Sequence, residues 1–179
     1  MPDLFAERFA RVRLLLLDVD GVLTDGRITY TDAGQEIKAF HVRDGSGLKF
    51  WQRGGGRVAI LSGRSSPAVA RRAAELGIDP VVQGADEKLP ALGRILSEMG
   101  LRPDQVCAVG DDLPDLPVLT RCGLAAAVAD AAPEVRAVAH FVTTAPGGRG
   151  AVREVVEWLM RAQGTWDPVV ARLSAADPA

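Results

Sequence analysis

The chain has 179 residues, 47% of them hydrophobic and 25% charged, which suits one soluble globular domain with its own core. Its net charge of −2 excludes the basic footprint of a nucleic-acid binder. The charges are uneven in kind, with 15 Asp against 8 Glu and 18 Arg against 3 Lys, and Asp favours turns, caps and metal sites over helix faces.

The N-terminal MPDLFAERFARVRLLLLDVDG holds only a four-leucine apolar run followed by acids, so it resembles neither a signal peptide nor a membrane span. A cytoplasmic location is expected. Cys107 and Cys122 form no CxxC and have no His at zinc spacing, so they read as reduced, buried thiols.

Residues 3–10 predict a short helix. Val12–Val19 is a short apolar run ending in Asp and Gly, as in a strand buried on both faces of a parallel sheet. Gly26–Phe40 carries two short β-prone stretches around TDAGQ and predicts a hairpin. A helix is predicted over Asp44–Arg53, broken by three glycines, and a second buried strand over Arg57–Leu61. Pro67–Leu76 predicts a helix, with Ser65 or Ser66 as N-cap and Gly77 as C-cap. A third strand is expected at Pro80–Gln83, a helix over Asp86–Met99, and a fourth strand over Gln105–Val109. Leu113–Thr120 predicts a short helix. Gly123–Val128 and His140–Val142 predict strands flanking an Ala-rich helix, and Gly150–Ala162 is amphipathic. Gln163–Ala179 reads as a loosely ordered tail.

This alternation defines an α/β fold: an open parallel-sheet, Rossmann-like three-layer sandwich with a small hairpin insertion after the first strand. Residues 1–162 read as a single domain, followed by the tail at 163–179.

In such sheets the ligand site lies beyond the carboxyl ends of the strands. Three strand ends carry polar clusters: Asp18-Val19-Asp20-Gly21, Ser62-Gly63-Arg64 and Gly110-Asp111-Asp112. Lys88 opens the helix after the third strand. An isolated Asp after a strand is commonly a turn or cap residue. Clustered carboxylates repel one another, and a hard divalent cation such as Mg²⁺, which takes oxygen ligands, accounts for them.

DVDGVLTDG, LSGR, a lone Lys and GDDLPD together resemble, in order and spacing, the four motifs of the haloacid-dehalogenase superfamily. FHVRDGSG, GDDLPDLPV and PGGRGAVREV extend the resemblance to a capless, tetrameric family of sugar-acid phosphatases within it. The resemblance implies Asp18 as nucleophile, Asp20 as acid/base, and Ser62 and Lys88 as phosphate-binding groups. It implies Mg²⁺ held by Asp18, the Asp20 carbonyl and Asp111. Asp112 or Asp115 would support the metal's waters, although Asp115 is equally a candidate helix-surface residue. It aligns Asp20, Lys88, His41, Val42, Arg43, Asp44, Gly45, Lys49, Arg64 and Arg72 with substrate contacts. Arginine suits a sugar-acid carboxylate because its fork binds bidentately.

The 41 residues between Asp20 and Ser62, and the 25 between Ser62 and Lys88, leave no room for a cap domain. The site should then be open unless a neighbour covers it, and the resemblance implies a homotetramer with the hairpin and the 163–179 tail at subunit contacts. Gly147-Gly148-Arg149-Gly150 either cradles an anion or serves as a flexible entry to the last helix. His140 reads as structural. The expected partner is a small sugar-acid phosphate, with no nucleic acid and no membrane. The leading expectation is an eight-carbon 3-deoxy sugar-acid phosphatase. The alternatives are a phosphatase for a nine-carbon sialic-acid-type 9-phosphate and a non-catalytic oligomerisation module.

Overall fold

Four consecutive leucines make β1 (Leu14–Leu17), all of them at most 2% exposed. A strand buried on both faces belongs at the centre of a sheet, and β1 sits there. It pairs in parallel with β4 (Arg57–Leu61) on one side and β6 (Val106–Gly110) on the other. The computed structural model describes residues 2–175. Its main sheet has six strands, completed by β5 (Val81–Val82), β7 (Leu124–Ala127) and β8 (Phe141–Val142), in the order β5-β4-β1-β6-β7-β8. All of its pairings are parallel. The predicted hairpin forms a separate antiparallel pair, β2 (Thr29–Tyr30) and β3 (Glu36–Ile37).

Helices cover both faces. Helix α1 (Pro2–Arg11) packs against α7 (Ala151–Ala162), and α7 packs closely on α2 (Val42–Arg53), which also meets α3 (Pro67–Leu76). On the other face α4 (Lys88–Met99) meets α5 (Leu116–Leu119), which meets α6 (Pro133–Val138). The chain runs from β1 outward through β4 and β5, then returns to β6. The switch point therefore lies between β1 and β6, where a ligand crevice is expected in open α/β sheets. No described helix is long and apolar enough to cross a membrane.

Two expectations need correction. Leu113–Thr120 is not one helix. Pro114 and Pro117 each lack a backbone donor, and the segment divides into a 3₁₀ turn over Leu113–Asp115 followed by α5. The tail is ordered through a further helix, α8 (Trp166–Ser174), while residues 176–179 lie outside the described residues. Trp166 explains the order. It is 5% exposed, packs edge-on to Phe50, and lies under the guanidinium groups of Arg153 and Arg161. Such stacked cations add to apolar burial. Ser66 occupies the N-cap of α3 but makes no side-chain cap bond.

Asp44 joins two helices. It is 1% exposed on α2, and its carboxylate accepts the backbone N–H groups of Gly150 (3.3 Å) and Arg153 (2.8 Å) at the start of α7. These donors would otherwise be unpaired. Burial raises the Asp44 pKa, and the two N–H bonds oppose that rise.

Candidate active site

Each polar group of the site stands just past a strand end, where the ladder stops and side chains face the crevice. Asp18 follows β1, Ser62 follows β4, Asp111 follows β6, and Lys88 opens α4. Asp18, Asp20, Ser62, Arg64, Lys88, Asp111, Asp112 and Asp115 line one open cleft. The topology thus gathers the polar groups of the three strand ends together with Lys88.

At the floor, the Lys88 ammonium donates to Asp18 Oδ1 and to Asp115 Oδ1, both at 2.6 Å. All three side chains are less than a tenth exposed. Burial alone would push Lys88 down, but the two carboxylates override it and hold its pKa above the usual value. Asp115 also accepts the backbone N–H groups of Asp111 (3.0 Å) and Asp112 (3.4 Å) through Oδ2. Both of its oxygens are therefore engaged in shaping the loop after β6 and seating Lys88. Asp112 is exposed and caps the 3₁₀ turn.

Asp18, Asp111 and Asp115 each present an oxygen within 4.8 Å of the others. Burial, then the Asp115 carboxylate, pushes Asp18 up to about 6, against the pull of Lys88. Burial, then the carboxylates of Asp18, Asp115 and Asp112, pushes Asp111 up to about 8. One ammonium does not balance this much negative charge. The donors are all oxygen, which fits a hard divalent cation. Since Asp115 is already bonded on both oxygens, Asp18 and Asp111 are the carboxylates free to ligate one.

Glycine is required beside this cluster. Gly21 has φ +93°, and a Cβ there would lie 2.0 Å from Asp111 Oδ2. The Gly147-Gly148 loop seats directly on the turn after β1, where a Cβ on Gly147 would fall 1.7 Å from the Gly21 carbonyl oxygen. Gly148 N–H donates to Val22 O at 2.9 Å. The loop buttresses the turn that follows Asp18.

Ser62 is 3% exposed, and its hydroxyl oxygen accepts the Arg64 backbone N–H at 3.3 Å. Asp20 is paired with Lys38 and, at 3.5 Å, with Arg64 Nε. Lys38 is a partner that sequence reasoning missed. Its only sequence signal was the scarcity of lysine.

The remaining sugar-contacting candidates lie apart from this cleft. His41 precedes α2, with Nδ1 4.0 Å from Asp44 Oδ2, and Val42 is 75% exposed. Arg43 lies on α2 and is exposed. Asp44 is buried in the α2–α7 junction. Gly45 lies against Arg72, which pairs with Glu75 at 3.2 Å. Lys49 donates to the Glu75 carbonyl at 3.1 Å. None of these seven lines the cleft around Asp18.

Comparison with known proteins agrees with this geometry. A family model described as haloacid dehalogenase-like hydrolase matches residues 80–154. KdsC of Escherichia coli K12, a 3-deoxy-D-manno-octulosonate 8-phosphate phosphatase, is 48% identical over 156 residues, covering 87% of this chain and 83% of that protein. The crystal structure of the Moraxella catarrhalis enzyme of that name, in complex with magnesium, phosphate and KDO, superposes with TM-score 0.93 at 41% identity. It covers 97% of this chain and 99% of that one. The cobalt-bound Haemophilus influenzae enzyme gives TM-score 0.88 at 40% identity, covering 93% and 99% of the two chains. A parallel sheet with an acid cluster at its carboxyl edge and no cap is thus the frame of a haloacid-dehalogenase-type phosphoric monoester hydrolase. Within that superfamily, the chain belongs to the family of 3-deoxy-D-manno-octulosonate 8-phosphate phosphatases.

Proposed function

We propose that the chain is a Mg²⁺-dependent phosphatase converting 3-deoxy-D-manno-octulosonate 8-phosphate to the free sugar acid and inorganic phosphate. One observation carries this reading: the Asp18–Lys88–Asp111 cluster opens onto Ser62 and Asp20, in a chain 48% identical to enzymes of that name. The all-oxygen donor set and the magnesium in the Moraxella relative support Mg²⁺. The carboxylates of Asp18 and Asp111 and the Asp20 carbonyl would hold the ion, which supplies Lewis acidity toward a phosphoryl oxygen.

In this reading the Asp18 carboxylate attacks phosphorus and forms an aspartyl-phosphate. A carboxylate needs no base to activate it. Asp20 gives its proton to the departing sugar alkoxide. Lys88 and the Ser62 hydroxyl stabilise charge on the phosphoryl oxygens. Asp20 then takes a proton from water, the water oxygen attacks phosphorus, and Asp18 is released with inorganic phosphate.

The open cleft and the exposed Ile28, Tyr30, Ile37 and Val42 around the hairpin support a homotetramer with the hairpin at subunit contacts. His41, Val42, Arg43, Asp44, Gly45, Lys49 and Arg72, being off this cleft, would reach substrate only across such a contact. Free, buried Cys107 and Cys122 fit a reducing cytoplasm. The product would feed the inner core of outer-membrane lipopolysaccharide.

A nine-carbon 9-phosphate offers the same phosphate end, so the catalytic groups do not discriminate against it. Measured side by side, kcat/KM is expected to favour the eight-carbon ester by at least about tenfold. A preference for the nine-carbon ester would overturn the substrate assignment while leaving the chemistry in place. The presence of Asp18, Asp20, Ser62, Lys88 and Asp111 together argues against a non-catalytic module.

A further inference from the structure

Lys38 is one of only three lysines in the chain, and the phosphoryl-transfer roles above leave it unassigned. Its side chain is 1% exposed, although it lies just past β3 in a hairpin whose neighbouring residues are mostly exposed. Burying an ammonium is costly unless it is paired, and Lys38 has two partners. Its Nζ donates to Asp20 Oδ1 and lies 3.5 Å from Glu36 Oε1. Glu36 and Lys38 flank Ile37 at the end of β3, and their side chains reach Arg64 and Asp20 respectively. Ile37 between them points away and is 51% exposed.

Arg64 completes the group, with Nη2 3.0 Å from Glu36 Oε1 and Nε 3.5 Å from Asp20 Oδ2. The two cations are not equivalent. The Arg64 side chain is 44% exposed at the cleft, where it can turn to an anionic ligand. Lys38 has no surface to offer a ligand. Were Arg64 to turn to such a ligand, Lys38 would remain as the tether of Asp20. It holds Oδ1, while Oδ2 faces Arg64.

The same contacts seat the hairpin. β2 and β3 share only two residue pairs, and a hairpin that small is at best marginally stable alone in water. The Glu36–Lys38 side clamps it to the loop carrying Asp20.

We propose that Lys38 is a positioning residue for Asp20, locking the leaving-group acid in place and coupling it to the seating of the hairpin. This rests on the reading of Asp20 as the acid that protonates the leaving alkoxide.

The test compares two leaving groups. A sugar alkoxide needs a proton to leave, whereas p-nitrophenolate does not. Lys38→Met is expected to lower kcat on the sugar-acid phosphate about 10–100-fold, and on p-nitrophenyl phosphate less than about 3-fold. Lys38→Arg, which keeps a cation, is expected to recover most of the loss on the sugar ester. Adding Lys38→Met to Asp20→Asn should cost little more than Asp20→Asn alone, because the two act through one group. Equal losses on both esters would make Lys38 merely structural and overturn the proposal. So would a raised KM with unchanged kcat, which would make Lys38 a substrate-binding cation. If Lys38→Met fails to fold, Glu36→Gln, which removes the other carboxylate from the ammonium, carries the same comparison. A selective loss on the sugar ester is expected there, and an even loss overturns the proposal. Asp20→Asn separates the two levels. If its loss is the same for both leaving groups, the acid assignment of Asp20 fails. If its loss is selective and that of Lys38→Met is not, the positioning role alone fails.

Discussion

Asp18→Asn is expected to abolish phosphate release, lowering kcat by at least about 10³-fold at saturating Mg²⁺. The amide nearly matches the carboxylate in size but is neutral and poorly nucleophilic, and it removes one of the two carboxylates free to ligate a cation. The fold should persist. Lys88 keeps Asp115 as a partner at 2.6 Å. The fold already disfavours the charged form of Asp18, whose pKa burial and Asp115 push up to about 6. Thermal melting should therefore stay within a few degrees of the parent while turnover disappears. A variant that melts normally and still turns over at a tenth of the parent rate or better would remove Asp18 from the role of nucleophile.

Asp111→Asn is expected to separate stability from metal response. Burial and three neighbouring carboxylates hold Asp111 up at about 8, against an ordinary value of 3.8. Below about pH 4 the group is protonated both folded and unfolded, and it costs nothing. As pH rises from there toward 8, the unfolded chain loses its proton while the folded chain resists, so the native state is progressively penalised. At pH 7.5 without metal, the neutral amide should therefore raise Tm by a few degrees, at roughly 2–4 °C per kcal/mol for a chain of this size. In the parent, added Mg²⁺ should raise Tm because binding favours the folded state. In Asp111→Asn that rise should be largely lost, and kcat/KM should fall about 10²-fold or more. Melting curves with Mg²⁺ and with EDTA check both arms. A parent Tm indifferent to Mg²⁺, with a destabilised Asn variant, would mean that the acid cluster is structural.

Much of the fold was legible because its signals are local. Four leucines followed by Asp mark a central strand, and Gly77 and Gly100 stop α3 and α4 as their positions imply. The acid cluster was legible for a topological reason: strand ends of one parallel sheet share an edge, so Asp18, Ser62, Lys88 and Asp111 converge without any long-range information. What sequence could not supply was the choice of partner. Asp115 looked equally suited to metal water or to a helix surface; it is buried, and it seats Lys88 and the loop after β6. Asp44, grouped with substrate contacts, is placed by the start of α7, more than a hundred residues away. Lys38 met Asp20 across the hairpin, a pairing with no periodicity to reveal it. Helix α8 was missed because its anchor, Trp166, is buried by Phe50, Arg153 and Arg161 rather than by a regular apolar stripe.

If the strand-end cluster around Asp18 is a Mg²⁺-dependent phosphomonoesterase site for a sugar-acid phosphate, it turns over such an ester only with the cation present. Phosphate release from a panel of sugar-acid phosphates and simple phosphomonoesters, run with Mg²⁺ and with EDTA, tests it most directly. Turnover of 3-deoxy-D-manno-octulosonate 8-phosphate is expected above the rest of the panel, lost in EDTA and restored by Mg²⁺. Phosphate release from none of the panel in Mg²⁺, or release undiminished by EDTA, would contradict it.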